Sequence, residues 1–291
     1  MNALVRSHIE QAVLTKFSSK GKVDFSPVGG GCINETYRVS TNGEMFFCKI
    51  NSATKFPHLF EAERKGLVLI ANSHTIRVPE VVDVLSIGEK QVLLMEWIKE
   101  GERTEAFWKN FGEQLAALHA CSNTVYGLSE DNYMGSVVQQ NKPHGSWIDF
   151  FIHQRLQPVL QQCMAKGLIS SSANKKFETL YTLLPSLFPV TKPALVHGDL
   201  WSGNFMCDEN SHPVLIDPAS YFGHPSVDLA MSTLFGGFRS GFYESYNYYS
   251  PLPSNYREQW TITNLYPLLI HLLLFGRSYL PQIESTLQQF A

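Results

Sequence analysis

Along this chain the spacing of apolar residues changes character once, near Gly101. Before that point apolar side chains sit in short alternating runs; after it they recur three and four residues apart. Alternation is the period of a half-buried strand, and the longer spacing is that of one helix face. The chain is therefore read as α+β and bilobal. Residues 1–100 are expected to form a small five-stranded antiparallel lobe with one helix, and residues 101–291 a larger, mainly helical lobe. The strands are expected at 23–28, 36–40, 45–50, 81–87 and 91–98, and the helix at 59–72. Asn42 and Gly43 tolerate positive φ and close a tight hairpin. In the second half Phe107, Phe111, Leu115 and Leu118 mark one helical face, further helices are expected at 147–166, 174–184 and over most of 259–275, and the aromatic run 242–249 reads as a helix packing its rings inward. Between them, 194–226 is loop-rich and polar.

Composition excludes several classes. With 26 acidic against 23 basic residues the net charge is −3, without the basic surface a general nucleic-acid binder needs. No membrane role is expected: the longest strongly apolar run, 265–275, contains Pro267 and His271 and is too short to span a bilayer. The N-terminus has no apolar core of a signal peptide. Five cysteines without a C-x-x-C pair read as reduced thiols of a cytoplasmic protein.

The chemistry-bearing residues concentrate in the loop-rich stretch. His197, Gly198 and Asp199 are followed by Trp201 and by Asn204, and thirteen residues later an apolar strand ends in Asp217. Asp199 as base, with Asn204 and Asp217 as oxygen ligands, forms a set suited to activating a hydroxyl and holding Mg²⁺. Two acids and an asparagine in a loop are individually common as turn and cap groups; their order and spacing resemble a kinase catalytic loop and its metal-binding aspartate. Upstream, Gly29, Gly30, Gly31 and Cys32 sit between two strands, where bare amides can approach phosphate or merely make a turn. Cys32 in such a loop is either a small packing residue or, near phosphates and a lysine, a reactive thiol. Lys49 shares a strand face with Phe47 and needs an anionic partner unless it snorkels from an edge. Glu61 and Glu63 both offer that partner, and Glu63 falls on the apolar face with Leu67 and Ile70. Glu96, Trp97 and Ile98 lie where the lobes join, and backbone groups of Glu96 and Ile98 are candidates for an adenine edge. Trp201 and Trp147 are flat aromatics suited to a sugar face, or else to the core.

The residues from His197 to Asn204, Asp217 to His224 and Asp228 to Met231, with Asn132, Gly135, Gln139, Asn141, Trp147, Phe150 and Arg155, resemble the fructosamine kinase (ketosamine-3-kinase) family, within the aminoglycoside- and choline-kinase-like phosphotransferases. The likeness extends to Tyr266–His271 and to Phe275 and Gly276. It implies a protein-kinase-like fold, ATP and Mg²⁺, and transfer of the γ-phosphoryl to the 3-hydroxyl of a ketosamine, which makes the adduct fall apart. It also implies Asp199 as base, Asn204 and Asp217 as metal ligands, Lys49 and Glu63 as the phosphate clamp, and Asp228 as a structural acceptor for the catalytic loop, with His197 structuring that loop. Where the pattern expected is G-H-x-E, this chain has Gly223, His224, Pro225 and Ser226, a missing carboxylate expected near the active face. The alternatives are a kinase of the same fold for an aminoglycoside, choline or homoserine, or a non-catalytic nucleotide-binding module. Monomer and homodimer are both left open.

Overall fold

A computed structural model describes residues 1–16, 21–29 and 33–290. The first half builds a five-stranded antiparallel sheet of order β1-β2-β3-β5-β4, from β1 (Asp24–Pro27), β2 (Glu35–Thr41), β3 (Glu44–Ser52), β4 (Val81–Ile87) and β5 (Lys90–Glu96). Asn42 and Gly43 both have positive φ, 49° and 88°, which is what the two-residue β2–β3 turn requires. Two helices accompany this sheet, not the single one expected. Besides α2 (Leu59–Ala71) there is α1 (Ala3–Lys16), whose Val5, Ile9 and Val13 form a stripe at spacing four. That stripe buries against Val39, Phe46, Cys48, Val92 and Leu94 on one sheet face. The opposite face takes α2, with Leu59 and Phe60 packed on Leu93 and Met95.

In the helical half α3 (Glu105–Ala120) is capped by the Thr104 hydroxyl, which accepts from the Phe107 amide at 3.2 Å. It packs on α8 (Ser240–Tyr249) through Phe107, Phe111 and Leu115 against Phe242 and Tyr246. A short hairpin follows, β6 (Asn132–Met134) and β7 (Val137–Gln139). The helix expected over 147–166 runs as α4 (Trp147–Phe150), a π-helical stretch (Phe151–Leu156) and α5 (Gln157–Ala165), and Arg155 enters the interior from the π-helical turns. Next come α6 (Ser171–Leu187), then β8 (Ala194–Val196), β9 (Phe205–Cys207), β10 (Pro213–Leu215) and β11 (Tyr221–Gly223). The stretch expected as loop thus holds two small ladders, β8 on β11 and β9 on β10, which frame the connecting loops 197–204 and 216–220. The chain closes with α7 (Ser226–Leu234), α8, α9 (Tyr256–Thr263), α10 (Leu265–Phe275) and α11 (Leu280–Phe290). Among the described residues no helix is long and apolar enough to cross a membrane.

Candidate active site

The site begins with Lys49 in the middle of β3. Strand alternation turns it to the α2 side, where it is 3% exposed, and its register partners are Thr36 and Leu93. Lys49 Nζ donates to Glu63 Oε1 at 2.7 Å and to Asp217 Oδ1. Burial works against its charge, but the two carboxylates outweigh that and hold the ammonium above its ordinary range. Burial also lifts the Glu63 carboxyl, with the Lys49 charge opposing. Glu61 instead pairs with Arg64 at the surface, so of the two acids only Glu63 reaches the lysine.

Asp217 sits two residues past the end of β10 in a left-handed conformation, φ 54°. An aspartate tolerates that region better than most residues, yet it is a strained choice that the surroundings must hold. Here Ile216 N donates to Asn204 O at 3.1 Å, and His197 Nε2 bonds the Ile216 carbonyl at 2.9 Å. Asn204 Nδ2 donates to both the Asp199 carbonyl and Asp199 Oδ2, each at 2.9 Å. Among the described residues, the Asn204 side-chain oxygen, the second Asp199 oxygen and the second oxygen of Asp217, whose side chain is 43% exposed, remain for a ligand. Burial, and next the neighbouring Asp217 charge, push the Asp199 carboxyl well above the usual carboxylate range, against the hydrogen bond from Asn204.

Beneath the loop lies Asp228, fully buried in the first turn of α7. Its two oxygens accept from the His197 amide at 2.7 Å and the Gly198 amide at 2.8 Å. His119 Nε2 donates to the same carboxylate at 3.1 Å while its Nδ1 faces Tyr246 Oη at 2.8 Å. Burial alone would raise this carboxyl; the hydrogen bond and charge of His119 and the loop amides turn it downward, so Asp228 stays ionised. Gly198 has φ 86°, and a Cβ there would strike the Ala219 carbonyl. Burial lowers the pKa of His197, and the ring with its ligated Nε2 and an Nδ1 facing the Asp199 amide is a fixed brace. Tyr246 lies in the aromatic run expected to turn its rings inward and is buried as expected; His119 is not among the residues the sequence marks, although it continues the spacing-four stripe of Phe107, Phe111 and Leu115.

Lys49, Glu63, Asp199, Trp201, Asn204 and Asp217 line one cleft of about 280 Å³ between the halves. Trp201, 36% exposed, lies over Gly203 and packs nearly perpendicular to Phe235. Trp147 does not join it: it is 5% exposed in the helical core, stacked on Phe151 at 5.1 Å and beside His224. Ser226 is equally remote from the cleft, buried with its hydroxyl between His224 Nδ1 and Thr263 Oγ1, so the missing carboxylate is not at the active face. Of the glycine loop, Gly29 is exposed, and Gly30, Gly31 and Cys32 lie outside the described residues. At the junction the Glu96 amide donates to the Glu80 carbonyl at 2.8 Å, and its carboxylate binds Arg77, which also binds Asp208 of the helical half. Trp97 packs near Phe47, centroids 6.2 Å apart, and the buried Ile98 amide has no acceptor among the described residues. Arg77, which spans the junction, was not singled out from the sequence.

Chemically, a buried cation between two carboxylates, a second aspartate held by an amide, and a flat aromatic at the rim can take a polyanion beside a hydroxyl compound. No cluster of three or more His, Cys, Asp or Glu suited to a metal exists among the described residues. Two carboxylates and an amide oxygen fit Mg²⁺, which keeps waters and shares phosphate ligands, and fit zinc poorly.

The family model described as fructosamine kinase matches residues 1–291. A probable ketoamine kinase of Enterococcus faecium is 37% identical over 282 residues, 96% of this chain and 99% of that protein. A chloroplastic protein-ribulosamine 3-kinase of Arabidopsis thaliana is 34% identical over 297 residues, covering 100% of this chain and 89% of its own. A crystal structure provisionally described as a fructosamine-3-kinase of Haemophilus somnus superposes with a TM-score of 0.87 at 28% identity, covering 97% of this chain and 96% of that one.

Proposed function

Because the chain belongs to the fructosamine kinase family, we propose that it transfers the γ-phosphoryl group of ATP to the 3-hydroxyl of a ketosamine, a sugar rearranged on an amine. The observation that carries this reading is the convergence of Lys49, Glu63, Asp199, Asn204 and Asp217 on one cleft in a chain matched to the family end to end. Phosphoryl transfer proceeds through a loose transition state, so positioning and charge neutralisation dominate the rate. Lys49, held in place by Glu63, neutralises nucleotide phosphate oxygens. The sequence assigns the stretch Gly29, Gly30, Gly31 and Cys32 to the phosphates, and the main chain of Glu96, Trp97 and Ile98 to the adenine.

Asp199 accepts the proton of the attacking 3-hydroxyl through the oxygen that Asn204 leaves uncovered. Its burial raises its basicity, which suits a base that must take a proton from an alcohol. Asn204 and Asp217 would hold Mg²⁺, which would neutralise charge on the nucleotide's phosphate groups. The flat face of Trp201 takes the apolar side of the sugar. His197 and Asp228 keep the loop in register and touch no substrate.

An ATP-consumption assay tests the reading, using ribulosamine, fructosamine and erythrulosamine derivatives of lysine beside aminoglycoside, choline and homoserine acceptors. Turnover confined to the ketosamines is expected. Turnover on one of the other acceptors alone overturns it. The ribulosamine derivative is the first to try, since the plant relative carries that substrate in its name.

A further inference from the structure

The hairpin of β6 and β7 was matched to the family in the sequence but given no task. Its root is a buried polar network. Asn132 Nδ2 donates to the Ser220 carbonyl at 2.9 Å, and Gln139 Nε2 donates to Ala219 O at 3.0 Å and to Asn132 Oδ1 at 2.8 Å. Asn141 Nδ2 reaches the same Asn132 oxygen at 2.9 Å, Arg155 donates to Asn141 Oδ1 at 2.7 Å, and Tyr266 Oη donates to Gln139 Oε1 at 3.1 Å. Buried, interlocking hydrogen bonds of this kind fix the geometry of the residues they join. Its anchor points, residues 219 and 220, follow Asp217 within three positions.

The other face of the hairpin meets the sheet half. Tyr133 Oη donates to the Pro57 carbonyl at 2.9 Å, and its ring packs beside Leu59, Phe60, Leu93 and Met95. Pro57 immediately precedes the N-cap of α2. That cap, His58, is left-handed at φ 59° and makes no side-chain hydrogen bond to the helix. The start of α2 is therefore held by tertiary contacts: the Phe60 amide on Gln91 Oε1 at 3.2 Å, and Tyr133. Lys65 and Glu130 add an ion pair across the same gap, but it is exposed on both sides and contributes little.

We propose that Tyr133 is a positioning residue for phosphate binding: the hairpin is a strut that sets α2, and with it Glu63, at the correct distance from the Asp217 loop, so that Lys49 is clamped from both sides. The proposal rests on the kinase reading above and adds a residue from the helical half to the machinery of the sheet half.

The test replaces one hydroxyl, Tyr133→Phe, in the full chain, with folding checked by cooperative urea unfolding. Losing one ordinary hydrogen bond at the helix start is expected to weaken binding of the Mg²⁺ complex of the β,γ-imido ATP analogue roughly 3- to 10-fold. KM for ATP should rise in step, with KM for the acceptor within about two-fold of wild type. In a Glu63→Gln background the same change should add less than two-fold, because its effect runs through Glu63. Unchanged nucleotide affinity, a rise in acceptor KM alone, or full multiplicative loss in the Glu63→Gln background each overturns the proposal. Because the nucleotide titration needs no acceptor, a failure of the ketosamine reading leaves this result interpretable.

Discussion

At Asp199 two demands on one residue pull apart. Burial and the nearby Asp217 charge disfavour its ionised form, while the proposed proton transfer depends on it. Asp199→Asn keeps the size and an oxygen for Asn204, and removes both the base and the buried charge. Turnover should fall by about 10²–10⁴-fold, with affinity for the ATP analogue close to wild type. Thermal unfolding without divalent cation should occur no lower than in wild type, a trade of stability for activity. Steady-state assays, nucleotide titration and a melting scan check the three parts; near-native turnover on a ketosamine removes Asp199 as base. These carboxylates were legible in the sequence because they lie within one short stretch whose spacing has chemical meaning. Trp147 was not, since a tryptophan on an amphipathic helix carries no sign of whether its face meets a cleft or a core. Arg77 was illegible for another reason: its partners Glu96 and Asp208 are far along the chain, and only the fold brings them together.

Among the elements, α2 depends most on its neighbours. It carries Glu63, starts without a side-chain cap, and packs against the Asp217 loop at Gly66, where a Cβ would stand 3.2 Å from Pro218 Cγ. Alanine favours a helix interior over glycine by about 1 kcal/mol, so on propensity alone Gly66→Ala should stabilise. The close approach to a rigid proline ring works against that gain by pressing α2 away from the loop. The expected outcome is no rise in the urea midpoint together with a several-fold loss of kcat/KM; a stabilised enzyme of full activity would show that the helix has room to move. Among the strands, legibility followed length. The five strands and α2 emerged from alternation and spacing over seven residues or more in most cases. By contrast β6 to β11 are three residues each, too short to show a period. The α1 helix is a different case: its apolar stripe is only Val5, Ile9 and Val13, too few residues to set a helix apart from an irregular segment.

Over the whole molecule, the halves are fastened on both sides of the cleft, by Arg77 at the junction and by Tyr133 at the mouth, and the helical half is locked behind them by buried polar contacts that acid should loosen. His224 is one buried group through which acid would act. It is 7% accessible, wedged beside Trp147 and Phe188, and its Nδ1 accepts from the Ser226 amide at 3.2 Å and meets the Ser226 hydroxyl at 2.8 Å, which in turn reaches Thr263 of α9. Burial, and next the neighbouring His119, push its pKa down to about 3. The unfolded chain takes up the proton near pH 6.5. Between those values the unfolded state binds more protons than the folded one, so stability is complete above about pH 6.5 and drains away as pH falls toward 3. From pH 7.5 to 5.0 this one ring should cost about 2 kcal/mol. His197, also lowered by burial, adds to the loss in the same direction, so the total alone does not isolate His224. His224→Asn does: its side-chain oxygen can still accept from the Ser226 amide, and it does not titrate. The variant should be less stable than wild type at pH 7.5, because a ring is lost from a packed site, and the gap should narrow by about 2 kcal/mol at pH 5.0. Urea unfolding of both proteins at the two pH values measures it, and a gap that stays constant would mean that the buried imidazole is not what makes this fold acid-sensitive.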